Sequence, residues 1–221
     1  WSMFVFSSAN AIRKYTMREL VELGVTWIWL GLESPQASYL KLKDADTIAQ
    51  TRDLQAHGIA VQGSTIIGME HHTPENLDAE ISHAIRHDAD CHQFMLYTPM
   101  PGTPLHREVG SDGRLLEDVD LADIHGQYKF NFRHPHISRD ESKAWLDRAF
   151  QRDYDENGPS LFRMMRTKYQ GWLRHRDDLD DRVRARFEYD ARNFRRGWGA
   201  PLWAMEQFLR ESNATVSAKI G

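Results

Sequence analysis

The chain has one cysteine, Cys91, among 221 residues. A single thiol closes no internal disulfide and cannot alone build a thiolate metal site. Long apolar runs are also missing. No stretch reaches the roughly 20 residues that span a bilayer, and no basic-then-apolar leader opens the sequence. There is no glycine-rich phosphate loop and no Gly-x-Ser-x-Gly elbow, which argues against the common nucleotide-hydrolysing and serine-esterase designs. With 41% apolar residues and a formal charge of −4, the composition excludes disorder, collagen and a disulfide scaffold. These absences point to a cytoplasmic protein with room for one large core or two small ones.

What is present is a rhythm of short apolar runs separated by helical patterns. Residues 1–6 read as a strand that ends at Ser7-Ser8-Ala9-Asn10. Thr16 and Glu19 form a capping box, in which the hydroxyl and the carboxylate satisfy each other's backbone N–H. Gly24 is suited to a left-handed stop. Residues 25–30 (VTWIWL) are β-branched and aromatic and read as a buried strand. Helix in two pieces is predicted over 36–57, with Leu40, Leu42, Ile48 and Leu54 on its apolar face and Gly58 at its end. A strand over 59–67, a helix from Thr73-Pro74-Glu75 to about Asp88, and a strand over 92–98 follow. The alternation predicts a parallel sheet, either open with both faces covered or a one-sided slice of a β/α barrel. In both, ligands gather at the carboxyl ends of the strands.

Residues 102–137 read as mostly irregular. Ser138 to Glu141 is a second capping box, starting a helix to about Glu156 that Asn157-Gly158-Pro159 breaks. Helices are predicted at about 160–175, 178–196 and 201–212. Residues 1–159 carry 15 Lys/Arg against 24 Asp/Glu, and residues 160–210 carry 12 against 7. The basic part holds aromatics (Tyr169, Trp172, Phe187, Trp198). However, Asp177-Asp178 and Asp180-Asp181 interrupt it and would repel phosphate, so neither nucleic acid nor a membrane surface is expected as partner. His83 and His87 share a helix face. Ala84 stands where a zinc peptidase helix would need glutamate, so no metal site is expected.

Four segments in register carry a family resemblance: residues 1–10; 20–34 (LVELGVTWIWLGLES) with Tyr39-Leu-Lys-Leu; 58–68 (GIAVQGSTIIG) with Thr73-Pro-Glu75; and Pro99-Met-Pro-Gly-Thr-Pro104. Together they resemble the radical S-adenosylmethionine superfamily, most closely its cobalamin-binding subgroup. The resemblance covers about the first 105 residues and implies strands three to six of a partial (β/α)6 TIM-like barrel. The expected organisation is a partial barrel over 1–105, a linker or lid over 106–137 and a helical region over 138–221.

By resemblance, Ser7 and Ser8 would face the methionine part of the cofactor. Glu33 and Ser34 would contact ribose or the amino-acid moiety, Ile67 and Gly68 would pack on adenine, and Tyr97 and Thr98 would close the floor. The family's [4Fe–4S] cluster needs three closely spaced cysteines, which this chain lacks. The opening at Trp1 in strand-like sequence is read as a cut from a longer protein. The expectation is a carboxyl-terminal fragment, inactive alone and holding no cofactor tightly. Its parent would be a cobalamin-dependent methyltransferase that cleaves S-adenosylmethionine reductively and acts on an unactivated carbon. Its partners would be the missing amino-terminal part, an unidentified substrate, and a second copy at the exposed sheet edge near residues 1–6. The alternative is a non-catalytic binding or scaffold module with a degenerate barrel and a basic helical tail.

Overall fold

A computed structural model describes residues 1–32 and 46–221, without the side chains of 193–195. Glu33, Ser34, Leu40 and Leu42 lie outside the described residues. The four strands are β1 (Met3–Ser7), β2 (Val25–Gly31), β3 (Ala60–Ile67) and β4 (Cys91–Leu96). They form one parallel sheet in the order β1-β2-β3-β4. Between them come α1 (Ala9–Ile12), α2 (Met17–Leu23), α3 (Thr47–Ala56) and α4 (Pro74–Ile85).

The local signals act as the chemistry predicts. Thr16 and Glu19 cap α2 reciprocally, and Gly24 ends it at φ 86°. Pro74 opens α4 behind Thr73, whose N–H donates to Asn76 Oδ1 at 2.9 Å.

Strand order decides between the two architectures. It never reverses, so crossovers of one hand leave the helices on one side of the sheet. Register confirms this. Val5, Ile28 and Val61 align across three strands, as do Thr65 with Phe94 and Ile67 with Leu96. Apart from Thr65, these residues meet Leu20 and Val21 of α2, Leu54 of α3, and Leu77 and Ile81 of α4 in two buried clusters. The alternate residues point to the opposite face, because successive side chains of a strand alternate.

After β4 comes α5 (Pro104–Ser111), within the stretch expected to be irregular. Thr103 accepts from His106 N and Pro104 takes the first turn, the same cap-and-proline signal that starts α4. Residues 112–137 are otherwise mostly non-helical. Gly126 O accepts from Leu96 N at 2.7 Å and Gln127 Nε2 donates to Phe94 O at 2.6 Å, so this segment satisfies the outer edge of β4.

Then follow α6 (Arg139–Asn157), α7 (Ser160–His175), α8 (Asp181–Gly197), α9 (Gly199–Ser212) and α10 (Ala214–Ile220). The capping box at Ser138 and Glu141 is complete. Leu146 and Ala149 of α6 pack on Phe94 and Leu96.

α7 crosses the amino-terminal ends of the strands. Arg163 Nη1 donates to Ala89 O at 2.8 Å and Lys168 Nζ lies 3.5 Å from Thr26 O. Gly171 faces Gly58 so closely that a Cβ on it would fall 2.4 Å from Gly58 Cα. Charged side chains of the tail are paired: Asp178 with Arg18 of α2 at 2.6 Å, Arg166 with Asp88 at 2.8 Å, and Arg210 with Glu206 at 2.6 Å. No helix among the described residues is long and apolar enough to cross a membrane.

Candidate functional site

Parallel pairing puts the strand ends named in the sequence on one edge of the sheet. Ile67 pairs with Leu96, and its carbonyl accepts from Tyr97 N at 2.7 Å. Thr98 Oγ1 donates to Leu96 O at 2.8 Å. Ile67, Gly68, Tyr97 and Thr98 therefore stand together. Ser7 and Ser8 stand at the same edge beyond β2, since Ser7 pairs with Leu30. Glu33 and Ser34 follow Leu32 in the sequence and lie outside the described residues.

Several of these groups already have partners. The Ile67 side chain is buried in the helix-side core. Gly68 has φ 76°, and a Cβ there would fall 2.2 Å from Phe130 Cζ. The Tyr97 ring meets Phe132 edge-on at 6.2 Å. Ser8 is the N-cap of α1, its Oγ accepting from Ala11 N. Gly63 likewise makes room for a side chain, since Leu32 Cδ1 would lie 2.4 Å from its Cβ.

The histidines hold turns and helix ends. His72 Nδ1 accepts from Gly68 N at 3.0 Å and Met69 N at 3.2 Å, fixing the turn after β3. Burial, then the neighbouring His71 and His134, lowers its pKa to about 4. His87 Nε2 is 2.8 Å from Thr47 Oγ1, and its Nδ1 faces the carbonyls of His83 and Ala84. Burial lowers His87 to about 4 as well. His92 is bonded to Thr65 Oγ1 at 2.9 Å and stacked on Phe94 at 4.0 Å; burial brings it to about 3. Among the described residues, no three His, Cys, Asp or Glu side chains converge as metal ligands.

Cys91 opens β4, at the end of the sheet opposite the strand tips. Its Sγ lies 3.9 Å from Met164 Sδ of α7, and burial pushes its thiol pKa up. One protonated thiol at the wrong end does not fit an iron–sulfur cluster.

The face opposite the helices is the feature the sequence reading missed. Phe4 and Phe6 of β1 are 52% and 72% exposed. Phe6 stacks on Trp29 at 4.8 Å, and Phe4 meets Trp27 edge-on at 6.1 Å. In register beside Trp29 is Gln62, whose Nε2 donates to Gln93 Oε1 at 2.9 Å. Trp27 Nε1 is buried with no hydrogen-bond acceptor among the described residues. The signal was available in the alternation: Phe4/Phe6, Trp27/Trp29, Gln62/Ser64 and Gln93/Met95 each recur with period two. Reading residues 25–30 as one buried run hid it.

No family model matches the chain. The chain is similar to a protein of Pyrococcus horikoshii that bears the name uncharacterized methyltransferase, 29% identical over 115 residues. That stretch is 50% of this chain and 25% of the relative, so the chain spans well under two thirds of the protein it matches.

Proposed function

We propose that the sheet forms part of the barrel wall of a radical S-adenosylmethionine enzyme, a cobalamin-dependent methyltransferase acting on an unactivated carbon. The observation that carries this reading is the one-sided winding of the sheet. Among the described residues, it leaves a strand face opposite the helix layer, ending at an edge where four strand tips gather. In a barrel that face is the inner wall, and the carboxyl edge is where reacting groups are held. The methyltransferase-named relative supports the same direction.

In this reading Ser7, Ser8, Glu33, Ser34, Ile67, Gly68, Tyr97 and Thr98 surround S-adenosylmethionine. Backbone groups do most of the work at Ile67 and Gly68, whose side-chain directions are filled from the helix side. The cluster ligands, and any cobalamin site, come from residues other than these. The protein's part is to bind, orient and exclude water.

The test is product analysis on the whole protein containing this chain, supplied with iron, sulfide, S-adenosylmethionine and a strong reductant. The reading expects 5′-deoxyadenosine that depends on the reductant. S-adenosylhomocysteine formed without reductant, and no 5′-deoxyadenosine, would show ordinary methyl transfer and end it.

A further inference from the structure

We infer that the uncovered face of the sheet binds a flat, uncharged ring carrying an amide-like edge, such as a lactam, as the substrate class of the proposed enzyme. The inference rests on that face being the inner wall in the functional reading above. Three observations support it.

First, the face is aromatic on one side and amide on the other. Phe6, Trp29 and Gln62 lie on one rung of the sheet, in register across β1, β2 and β3. Adjacent strands are about 4.8 Å apart, so a bicyclic ring laid on Trp29 brings its rim to Gln62. Aromatic rings prefer such offset stacking.

Second, Gln62 and Gln93 are hydrogen-bonded to each other through one amide group each. That single bond leaves both amides with unused capacity, including Gln62 Oε1 as an acceptor and Gln93 Nε2 as a donor. Turning both amides over exchanges the two roles and keeps the pair. A lactam edge, N–H beside C=O, is its complement.

Third, no side chain that the four strands place on this face is charged. On α7 and α8, Lys168 and Asp190 pair with each other at 3.8 Å, with Lys168 Nζ 3.5 Å from Thr26 O at the amino-terminal rim. A charged ligand would stand there unpaired and partly desolvated.

The experiment is calorimetric titration of the whole protein with three probes: 2-quinolone, its N-methyl derivative, and quinoline-2-carboxylate. 2-Quinolone is expected to bind. Blocking its N–H with methyl is expected to weaken binding about tenfold, the size of a lost neutral hydrogen bond that leaves a partner unmade. The carboxylate is expected to bind more weakly still. Gln62→Leu, which removes the acceptor for the lactam N–H, should reduce affinity for 2-quinolone about tenfold and leave the N-methyl compound, which has no N–H to offer, little changed. The probe series needs no variant, so it decides the matter even if that variant fails to fold.

Equal affinities for the lactam and its N-methyl form, tight binding of the carboxylate, or no binding at all would each overturn the inference. The titration uses neither S-adenosylmethionine nor reductant. Absent binding with intact 5′-deoxyadenosine production sinks the ring and spares the enzyme reading. Probe binding with S-adenosylhomocysteine as the sole product does the reverse.

Discussion

Replacing Arg163 by methionine tests how the helical tail is fastened to the sheet. Arg163 is 1% exposed and Asp153 5%, and they face each other in a bidentate pair at 2.7 and 3.1 Å. The same guanidinium donates to Ala89 O at 2.8 Å and to Ser160 Oγ at 3.1 Å. One side chain thus joins α6, α7 and the residue leading into β4. Methionine fills the volume but offers no donor. Asp153 would keep only Asn157 Nδ2, at 3.1 Å, and Ala89 O would lose the bond it has from Arg163. Breaking a buried pair from one side costs about 3–5 kcal/mol, because a buried charge is left uncompensated. Against a typical total of ~5–15 kcal/mol, that is a large share. Urea denaturation followed by circular dichroism reads it as a lowered midpoint at constant slope. The double variant Arg163→Met with Asp153→Leu removes both charges and should recover most of the loss. As a control, Arg152 and Glu156, paired at 3.0 Å near the surface, should be worth at most ~1 kcal/mol. An Arg163→Met loss below about 1 kcal/mol, or a double variant no better than the single, would refute the reasoning.

Gly68→Ala should destabilise by about 2–4 kcal/mol, combining the left-handed backbone with overlap on Phe130, and Phe130→Leu in the same chain should return part of it; a thermal midpoint unchanged by Gly68→Ala speaks against it. His72 and His87, held near pKa 4, and His92, near 3, are neutral in the fold, whereas the unfolded chain takes up protons below about 6.5. Their contribution is therefore complete above pH 6.5 and is lost as pH falls toward 4, each adding a slope approaching ~1.4 kcal/mol per pH unit. His87→Gln should flatten the stability–pH curve by one such slope, and an identical curve would disprove the assignment. Finally, β1 is paired on one side only among the described residues and bears exposed Phe4 and Phe6, so concentration-dependent self-association is expected by light scattering, with Phe6→Lys restoring a monomer. A wild-type monomer at every concentration would remove this expectation.

Punctuation made the fold readable. Thr16/Glu19, Gly24, Gly58, Thr73-Pro74 and Ser138/Glu141 each mark a boundary through local hydrogen bonding or a positive φ, and such effects need no tertiary knowledge. α5 shows the limit of that reading. Its cap and proline are as clear as those of α4, but Gly102 before it and Gly110 within it suggested loop. The direction of side chains was the harder part. Gly68 reads by resemblance as packing on adenine, and Phe130, 62 positions away, takes that space. The identity of what fills a gap depends on chain-distant packing, which local chemistry does not encode. The aromatic–amide face was legible in principle, because period-two alternation is a local property, but it requires reading each strand as two faces.

The division of labour between those faces explains why chemistry has a place to sit. Val61, Ile67, Phe94 and Leu96 point into the helix layer and are buried, so the sheet's stability is drawn from one side. The other side is then free of the packing constraint that would demand aliphatic residues at native density. Evolution can place a glutamine pair, half-buried tryptophans and exposed phenylalanines there at little cost to the fold. A doubly covered sheet has no such freedom, since its strands must be apolar on both faces. Gln62 illustrates the point: its neighbours Val61 and Gly63 are buried, while its own amide reaches from β3 to Gln93 of β4. A polar residue between two core residues is tolerated because the winding of the chain put the helix layer on the other side of the sheet. The same winding makes that side the natural place for a bound ring.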